Sequence, residues 1–308
     1  MQHSKNKETF PKPLAFVFYF KKINAMQMVK YKALAVTTKY WRPEENYLEE
    51  MIAGVRGKIS NEDFVVVSEK AISTAISNIV NENTIKPSLC AELIANYWMQ
   101  IVWGYILGPL CHFRERLLQY LREYPVEMGS RHKQVALQQA GLLQALMFGS
   151  EGGIDGSNLA YAYVSLPSSD ADEIAEKIRR QIQLRLGKNV FIMIVDTDKT
   201  YSFRNFHFTP RPTPIKGIYS FGGFITYVIA RMFKLKKRPT PIALAGCKTS
   251  VEEALKIANI ANRVRGFGSG KTVWDMAGKF KVGLTGVSWE MLETVKHKPI
   301  VIVRKSRR

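Results

Sequence analysis

Two stretches of the sequence hold residues whose types and spacing can do chemistry. The first runs Ser150-Glu151-Gly152-Gly153-Ile154-Asp155-Gly156-Ser157-Asn158, the densest set of small and acidic residues in the chain. The second begins about forty residues on, with an apolar run over 190–195 followed by Asp196-Thr197-Asp198-Lys199-Thr200. A buried strand ending in acids and hydroxyls, beside a glycine loop with another acid, makes a seat for a hard cation and a phosphate. Oxygen ligands at such places suit Mg²⁺ or Mn²⁺, which keep waters and share substrate phosphates. Asp155 and Asp196 are the candidate ligands, and Thr197 can add a hydroxyl or carbonyl oxygen. This reading requires the two aspartates to converge on one ion. The competing reading makes Asp155 a turn residue and Asp196 a cap, since Ile-Asp-Gly is good turn chemistry.

Other motifs are weaker. Gly266-Phe267-Gly268-Ser269-Gly270-Lys271-Thr272 invites comparison with a P-loop, but Arg265 stands where the first glycine belongs and a helix, not a strand, precedes it. A glycine loop whose N–H groups and Lys271 touch a phosphate stays open, against a mobile solvated loop. Cys90, Cys111 and Cys247 show no metal spacing and an odd count, so they read as reduced and packed, as in a cytoplasmic protein. No His or Cys set has zinc spacing. Ser157 and Ser202 lack a visible His/Asp arrangement for a hydrolase triad. The basic, aromatic run 204–211 could face nucleic acid, yet no helix-turn-helix, RRM or KH signature supports that, and a solvated or phosphate-facing surface is the better reading.

The elements that must position these residues follow from patterning. A chain of 308 residues, 46% apolar, can bury a sizeable core, and its formal charge of +19 favours anionic partners. Strands are expected over 31–38, 64–68, 161–166, 190–195 and 299–303, and the apolar segments 135–137 and 142–148 read as strand and loop. Helices are expected from the Pro43-Glu44-Glu45 start to 55, over 69–80, over 170–186 with a stop at Gly187, and over 225–232, 251–264, 272–276 and 288–295. Residues 203–218 read as a loop and 234–238 as a basic cluster. Residues 87–121 read as a helical segment broken near Gly108-Pro109. Residues 94–113 have the length of a membrane span, but polar residues, glycines and a proline interrupt them, so they read as a buried helix pair. The first 28 residues look foreign to the rest and read as a tail or non-native start, with Met26 and Met28 as rival starts. The mixed order of elements favours α+β, with mixed sheets and flanking helices, over a doubly wound sheet.

Several stretches together resemble the γ-glutamyl ligases that extend coenzyme F420-0 with glutamate. Phe64-Val65-Val66-Val67-Ser68-Glu69-Lys70-Ala71-Ile72-Ser73 is similar to their first buried strand and helix. Gly153-Ile154-Asp155-Gly156-Ser157-Asn158 is similar to their AGIDxSN loop, Leu166-Pro167 and the helix after it to a further segment, Val195-Asp196-Thr197 with Arg204 downstream to their TDT…R strand end, and 299–304 to their closing strand. The resemblance covers most of 29–304, with helical insertions at 87–121 and 272–297 and a basic tail at 305–308. It implies an α+β fold, a homodimer with the site near the interface, and an acid–amino-acid ligase that uses GTP and Mg²⁺ or Mn²⁺. The product would be an amide between L-glutamate and a carboxylate of the deazaflavin coenzyme precursor or a similar anionic acceptor, formed through an acyl phosphate. Residue by residue, it implies metal ligation by Asp155, Asp196 and Thr197. Nucleotide contacts fall to Asn158, Ser68, Lys70, Arg204 and Lys271.

The departures are specific. A Lys-Ala-Glu-Gly stretch of the family reads Thr74-Ala75-Ile76-Ser77 here, with Lys70 one turn earlier. The family's N-terminal glycine-proline loop is replaced by Thr37 and the polar and aromatic residues up to Pro43. A metal-binding Glu of the late glycine loop has no acidic counterpart; Arg263, Arg265 and Lys271 are there instead. Exchanging an acid for cations lowers affinity for a second metal and raises affinity for phosphate. These changes keep a second function open, a non-catalytic nucleotide- or coenzyme-binding protein on the same scaffold.

Overall fold

The structure is a computed structural model that describes residues 30–149 and 151–306. The expected tail or non-native start at 1–28 lies outside the described residues, as do Ser150 and the last two residues of the basic tail. In chain order the first elements are β1 (Lys30–Thr38), α1 (Tyr47–Val55), β2 (Phe64–Ser68), α2 (Glu69–Ala75) and β3 (Ile79–Asn81). A helical block follows: α3 (Leu89–Leu93), a π-helix (Ile94–Leu107), α4 (Gly108–Leu110), α5 (Glu115–Arg122), α6 (Val126–Gln139) and α7 (Leu142–Ala145). Next come β4 (Tyr163–Ser165), α8 (Ala171–Leu186), β5 (Phe191–Phe203), β6 (Phe206–Thr209), β7 (Tyr219–Ser220), α9 (Gly223–Met232) and β8 (Lys236–Ala245). The chain closes with α10 (Val251–Arg265), α11 (Val273–Phe280), α12 (Trp289–Glu293) and β9 (His297–Ser306).

Seven strands form one mixed sheet in the order β1-β9-β2-β5-β6-β7, with β8 also paired to β5. Successive strand residues point to opposite faces, and here both faces are covered. Val65, Val67, Ile192, Ile194, Ile300 and Ile302 pack under α1 and α8. Phe64, Val66, Met193, Val195, Val301 and Val303 pack under α10, whose Ala254, Ala258 and Ala261 allow close approach. Double coverage explains why these strands are unbroken apolar runs. Each fully buried aliphatic side chain contributes about 1.5–3 kcal/mol, so the three central strands dominate the core. A second core lies in the helical block and includes Met99, Trp103, Leu121, Val135, Ala136 and Phe148. The expected α+β class with mixed sheets and flanking helices is what the chain adopts.

Several expectations are corrected. Residues 135–137 lie in α6 and 142–145 form α7, rather than strand, and 146–148 turn toward the glycine loop. The inward stripe of α6 includes Gly129, Ser130, Lys133 and Ala136; a serine and a lysine within it hide the helical period. The helix expected over 69–80 stops at Ala75, because Ser77 turns to φ 60° and the chain then pairs as β3 with β4. The loop expected over 203–218 contains β6. The basic cluster at 234–238 runs into a whole strand, β8, masked by Pro239 and Pro241; both sit beside register shifts against β5, where a missing N–H is tolerated. The break near Gly108-Pro109 falls later, between Leu110 and Glu115. Cys111 is buried, but Cys90 is exposed, so the packed reading fails there. Among the described residues no helix is long and apolar enough to cross a membrane.

Candidate functional site

β2 and β5 run parallel, with Ser68 opposite Val195, so their carboxyl ends open on the same side of the sheet. Crevices beyond the carboxyl ends of parallel strands are where α/β sheets take ligands. β2 delivers Ser68 and, in the first turn of α2, Glu69 and Lys70. β5 then bulges. Asp196 pairs with Thr240 and Lys199 with Pro239, so Thr197 and Asp198 have no residue opposite them on β8. A bulge re-aims side chains, and both residues face the crevice.

The glycine loop closes the opposite side. Asp155 forms a backbone bridge with Ser165, donating its N–H at 3.2 Å and accepting at 3.0 Å. Its Oδ1 accepts the Ser157 N–H at 2.7 Å, and its Oδ2 lies 2.5 Å from Lys70 Nζ. Lys70 also donates to the Ser157 carbonyl at 2.7 Å and hydroxyl at 2.8 Å. Asn158 clasps the late glycine loop. Its Oδ1 accepts from the Ser269 N–H and hydroxyl, both at 2.6 Å, and its Nδ2 donates to the Gly270 carbonyl at 2.9 Å. A Cβ on Gly268, at φ +61°, would stand 2.5 Å from Asn158 Oδ1, so the clasp needs glycine there.

These walls enclose a cavity of about 600 Å³ that brings together Ser68, Lys70, Asp155, Asn158, Thr197 and Lys271. Eight Lys or Arg side chains line it against four carboxylates, so its wall carries a net charge of about four before His132 is counted. Arg265 enters from the end of α10. Burial opposes the charge on its guanidinium, and Asp196 and then Asp155 support it. Lys271 lies over the Phe267 ring at 4.3 Å.

Two expected residues are placed elsewhere. Arg204 sits on the exposed turn between β5 and β6, over the Phe203 ring, outside the cavity walls. Asp196 is buried, and its Oδ2 lies 3.1 Å from Arg211 Nη1 rather than facing Asp155. Arg211 is wholly buried and its Nη2 donates to Glu69 Oε1 at 2.7 Å. Burial pushes the Glu69 carboxyl up to about 7 against the pull of Arg211, and Asp196 adds to the push. Gly153, at φ +101°, has no room for a side chain, because a Cβ would meet Arg211 Nη1 at 1.8 Å. Sequence reading missed Arg211 and Glu69. The signal was an arginine enclosed by prolines in Pro210-Arg211-Pro212, which looks like a solvated loop.

The helical block, together with α9 and α11, supplies a different wall. Phe113, Tyr124, Phe148, Tyr227 and Trp274 face the same cavity, with Phe113–Phe148, Phe148–Trp274 and Tyr124–Trp274 ring centroids 5.7, 6.2 and 6.4 Å apart. Tyr201 also lines it, and its buried hydroxyl has no hydrogen-bond partner. Beside this aromatic wall His132 Nδ1 lies 2.6 Å from Glu82, and Lys133 Nζ lies 2.7 Å from Glu151. Burial opposes a charge on His132, but Glu82 and Glu151 outweigh it and carry its pKa up to about 10. Glu151 is held well below the usual carboxylate range: Lys133 and His132 overcome the cost of burying it.

The metal expectation can be tested against these donors. Asp155 and Asp196 each close on a protein cation, and no group of three or more His, Cys, Asp or Glu that could hold a metal ion occurs among the described residues. The donor set does not fit a resident dication.

A mixed sheet opens its parallel strand ends on a cationic, aromatic-walled cavity, whose charge and ring surfaces suit an anionic ligand. Comparison with known proteins specifies the lineage. Residues 35–269 match the family F420-0:Gamma-glutamyl ligase. The chain is also 33% identical over 285 residues to an uncharacterized protein of Methanocaldococcus jannaschii, covering 89% of this chain and 96% of that one. The chain belongs to the F420-0:γ-glutamyl ligase family, as its central motifs implied.

Proposed function

We propose that the protein is an acid–amino-acid ligase that joins the amine of L-glutamate to a carboxylate of F420-0 or a similar anionic acceptor, with GTP as the activating co-substrate. One observation carries this reading: a single cavity joins a cationic wall to an aromatic wall, so a triphosphate and a planar acceptor ring can meet in it. A carboxylate is a poor acyl donor because oxide is its leaving group. Transfer of the γ-phosphoryl group forms a carboxyl O–P bond and breaks the bond to the β-phosphate, releasing GDP. The amine then attacks the acyl carbon, the C–N bond forms, and phosphate leaves. In this reading Ser68, Lys271 and the backbone N–H groups of the late glycine loop face the nucleotide, with Asn158 and Lys70 holding the two loops that frame it. Phe148 and Trp274 take the acceptor ring. The reading includes a homodimer, which sedimentation analysis tests.

The deciding experiment is incubation of the purified protein with GTP, glutamate and F420-0, followed by mass spectrometry. An acceptor heavier by one glutamyl residue supports the ligase, and unchanged acceptor under conditions where GTP binds removes it. A non-catalytic nucleotide- or coenzyme-binding role is the second reading. The closure of both candidate aspartates on protein cations favours it, and it predicts stabilisation by GTP with no product.

A further inference from the structure

The ammonium of Lys70 sits in a cage of oxygens, 2.5 Å from Asp155 Oδ2, 2.7 Å from the Ser157 carbonyl and 2.8 Å from the Ser157 hydroxyl. An ammonium has three donors, so all are engaged. Carboxylate, carbonyl and hydroxyl oxygens are also what a hard cation takes from a protein. Arg211 lies in ion-pair range of the other aspartate, 3.1 Å from Asp196 Oδ2 but without a hydrogen bond to it, and donates to Glu69 Oε1 at 2.7 Å and to the Gly152 carbonyl at 3.3 Å. It is wholly buried, and Gly153 leaves it no slack. Lys199 lies within electrostatic reach of Asp198 and Asp196, and Arg265 within reach of Asp196 and Asp155. Asp155, Glu69 and Asp196 thus each have a protein cation within 3.1 Å.

A dication site works the other way. Its carboxylates are left uncompensated by the protein, and the ion supplies the missing charge. Here an added dication would enter a wall whose Lys and Arg already outnumber its carboxylates eight to four. What that wall lacks is negative charge, which a polyphosphate brings.

We infer that this cavity binds a polyphosphate chain on protein cations alone, with Lys70 and Arg211 fixed where a divalent cation would otherwise sit and Arg265, Lys199 and Lys271 meeting the phosphate oxygens. Binding then requires no divalent metal. The inference rests on the nucleotide part of the proposed function and is independent of whether an amide is made.

The test is calorimetric titration of the full chain with GTP and with inorganic tripolyphosphate, in excess EDTA and again in saturating Mn²⁺. Dissociation constants should agree within about threefold between the two conditions. Arg265→Gln should weaken both ligands by about tenfold or more in either condition. A loss of about tenfold or more in EDTA for the unaltered chain overturns the inference, as does a tight Mn²⁺ site seen by electron paramagnetic resonance in the nucleotide-free protein. The EDTA comparison needs no variant, so a folding defect cannot imitate its outcome. Metal-free binding without an amide product supports the inference while removing the ligase reading. GTP binding and amide formation that both require Mn²⁺ do the reverse.

Discussion

The cavity is flanked by two buried charge clusters that differ in their arithmetic. On the sheet side, the carboxylates of Glu69 and Asp196 share the one guanidinium of Arg211. On the helical side, Glu82 and Glu151 face two cations, His132 and Lys133. The consequences run in opposite directions. Glu69 is pushed up to about 7, whereas Glu151 is held well below the usual range and His132 is lifted to about 10. Burial is comparable, so it is the local count of partners that decides whether a buried acid keeps its charge.

The comparison can be broken most severely at Arg211. Arg211→Met leaves two buried acids without their cation and should cost about 3–5 kcal/mol, read from the urea midpoint. A loss below about 1 kcal/mol would mean that the shared guanidinium does not hold the cluster. Next is His132→Gln, expected to cost about 1–3 kcal/mol near neutral pH. The folded pKa of His132 is raised, so its contribution is complete below the unfolded value of about 6.5 and is lost as pH rises through about 10. The gap between wild-type and variant stability should therefore narrow across that window; a constant gap would assign the residue a packing role only. Asn158→Ala removes the clasp on the late glycine loop. It should cost about 1–2 kcal/mol and weaken GTP by about tenfold, measured by calorimetry; unchanged affinity would show that the loop does not frame the nucleotide. The smallest effect falls at the aromatic wall, to which β5 contributes Tyr201. Tyr201→Phe deletes a buried hydroxyl without a partner, so stability should hold or rise by up to about 1 kcal/mol. Affinity for the acceptor should fall if that hydroxyl meets it, and GTP affinity should not move.

The two sides also differ in how far the sequence revealed them. β2, β5 and β9 were legible because sheet faces covered on both sides demand continuous apolar runs. Lys70 and Thr197 were recognisable beside these strands and Asp155 and Asn158 in the glycine loop, and all four line one cavity. Asp196 was legible as a residue but not in its partner, since nothing local announces that an arginine between two prolines turns inward. The bulge that leaves Thr197 and Asp198 unpaired on β8 lies opposite Pro239 and Thr240, some forty residues away. On the helical side the failure was one of period. Ser130 and Lys133 occupy inward positions of α6, and a lysine that finds Glu151 and the Met147 carbonyl satisfies the core without looking apolar.

The placement of β9 sets the order in which this protein can be built. The last strand does not add to an edge; it lies between β1 and β2 and pairs with both. As the nascent chain leaves the ribosome, β1 and the edge of β2 that faces away from β5 therefore wait with their hydrogen-bonding groups unmatched until β9 follows, more than 220 residues after β2. During that interval the exposed strand edges are open to mispairing, and the arrival of β9 is what lets the sheet close.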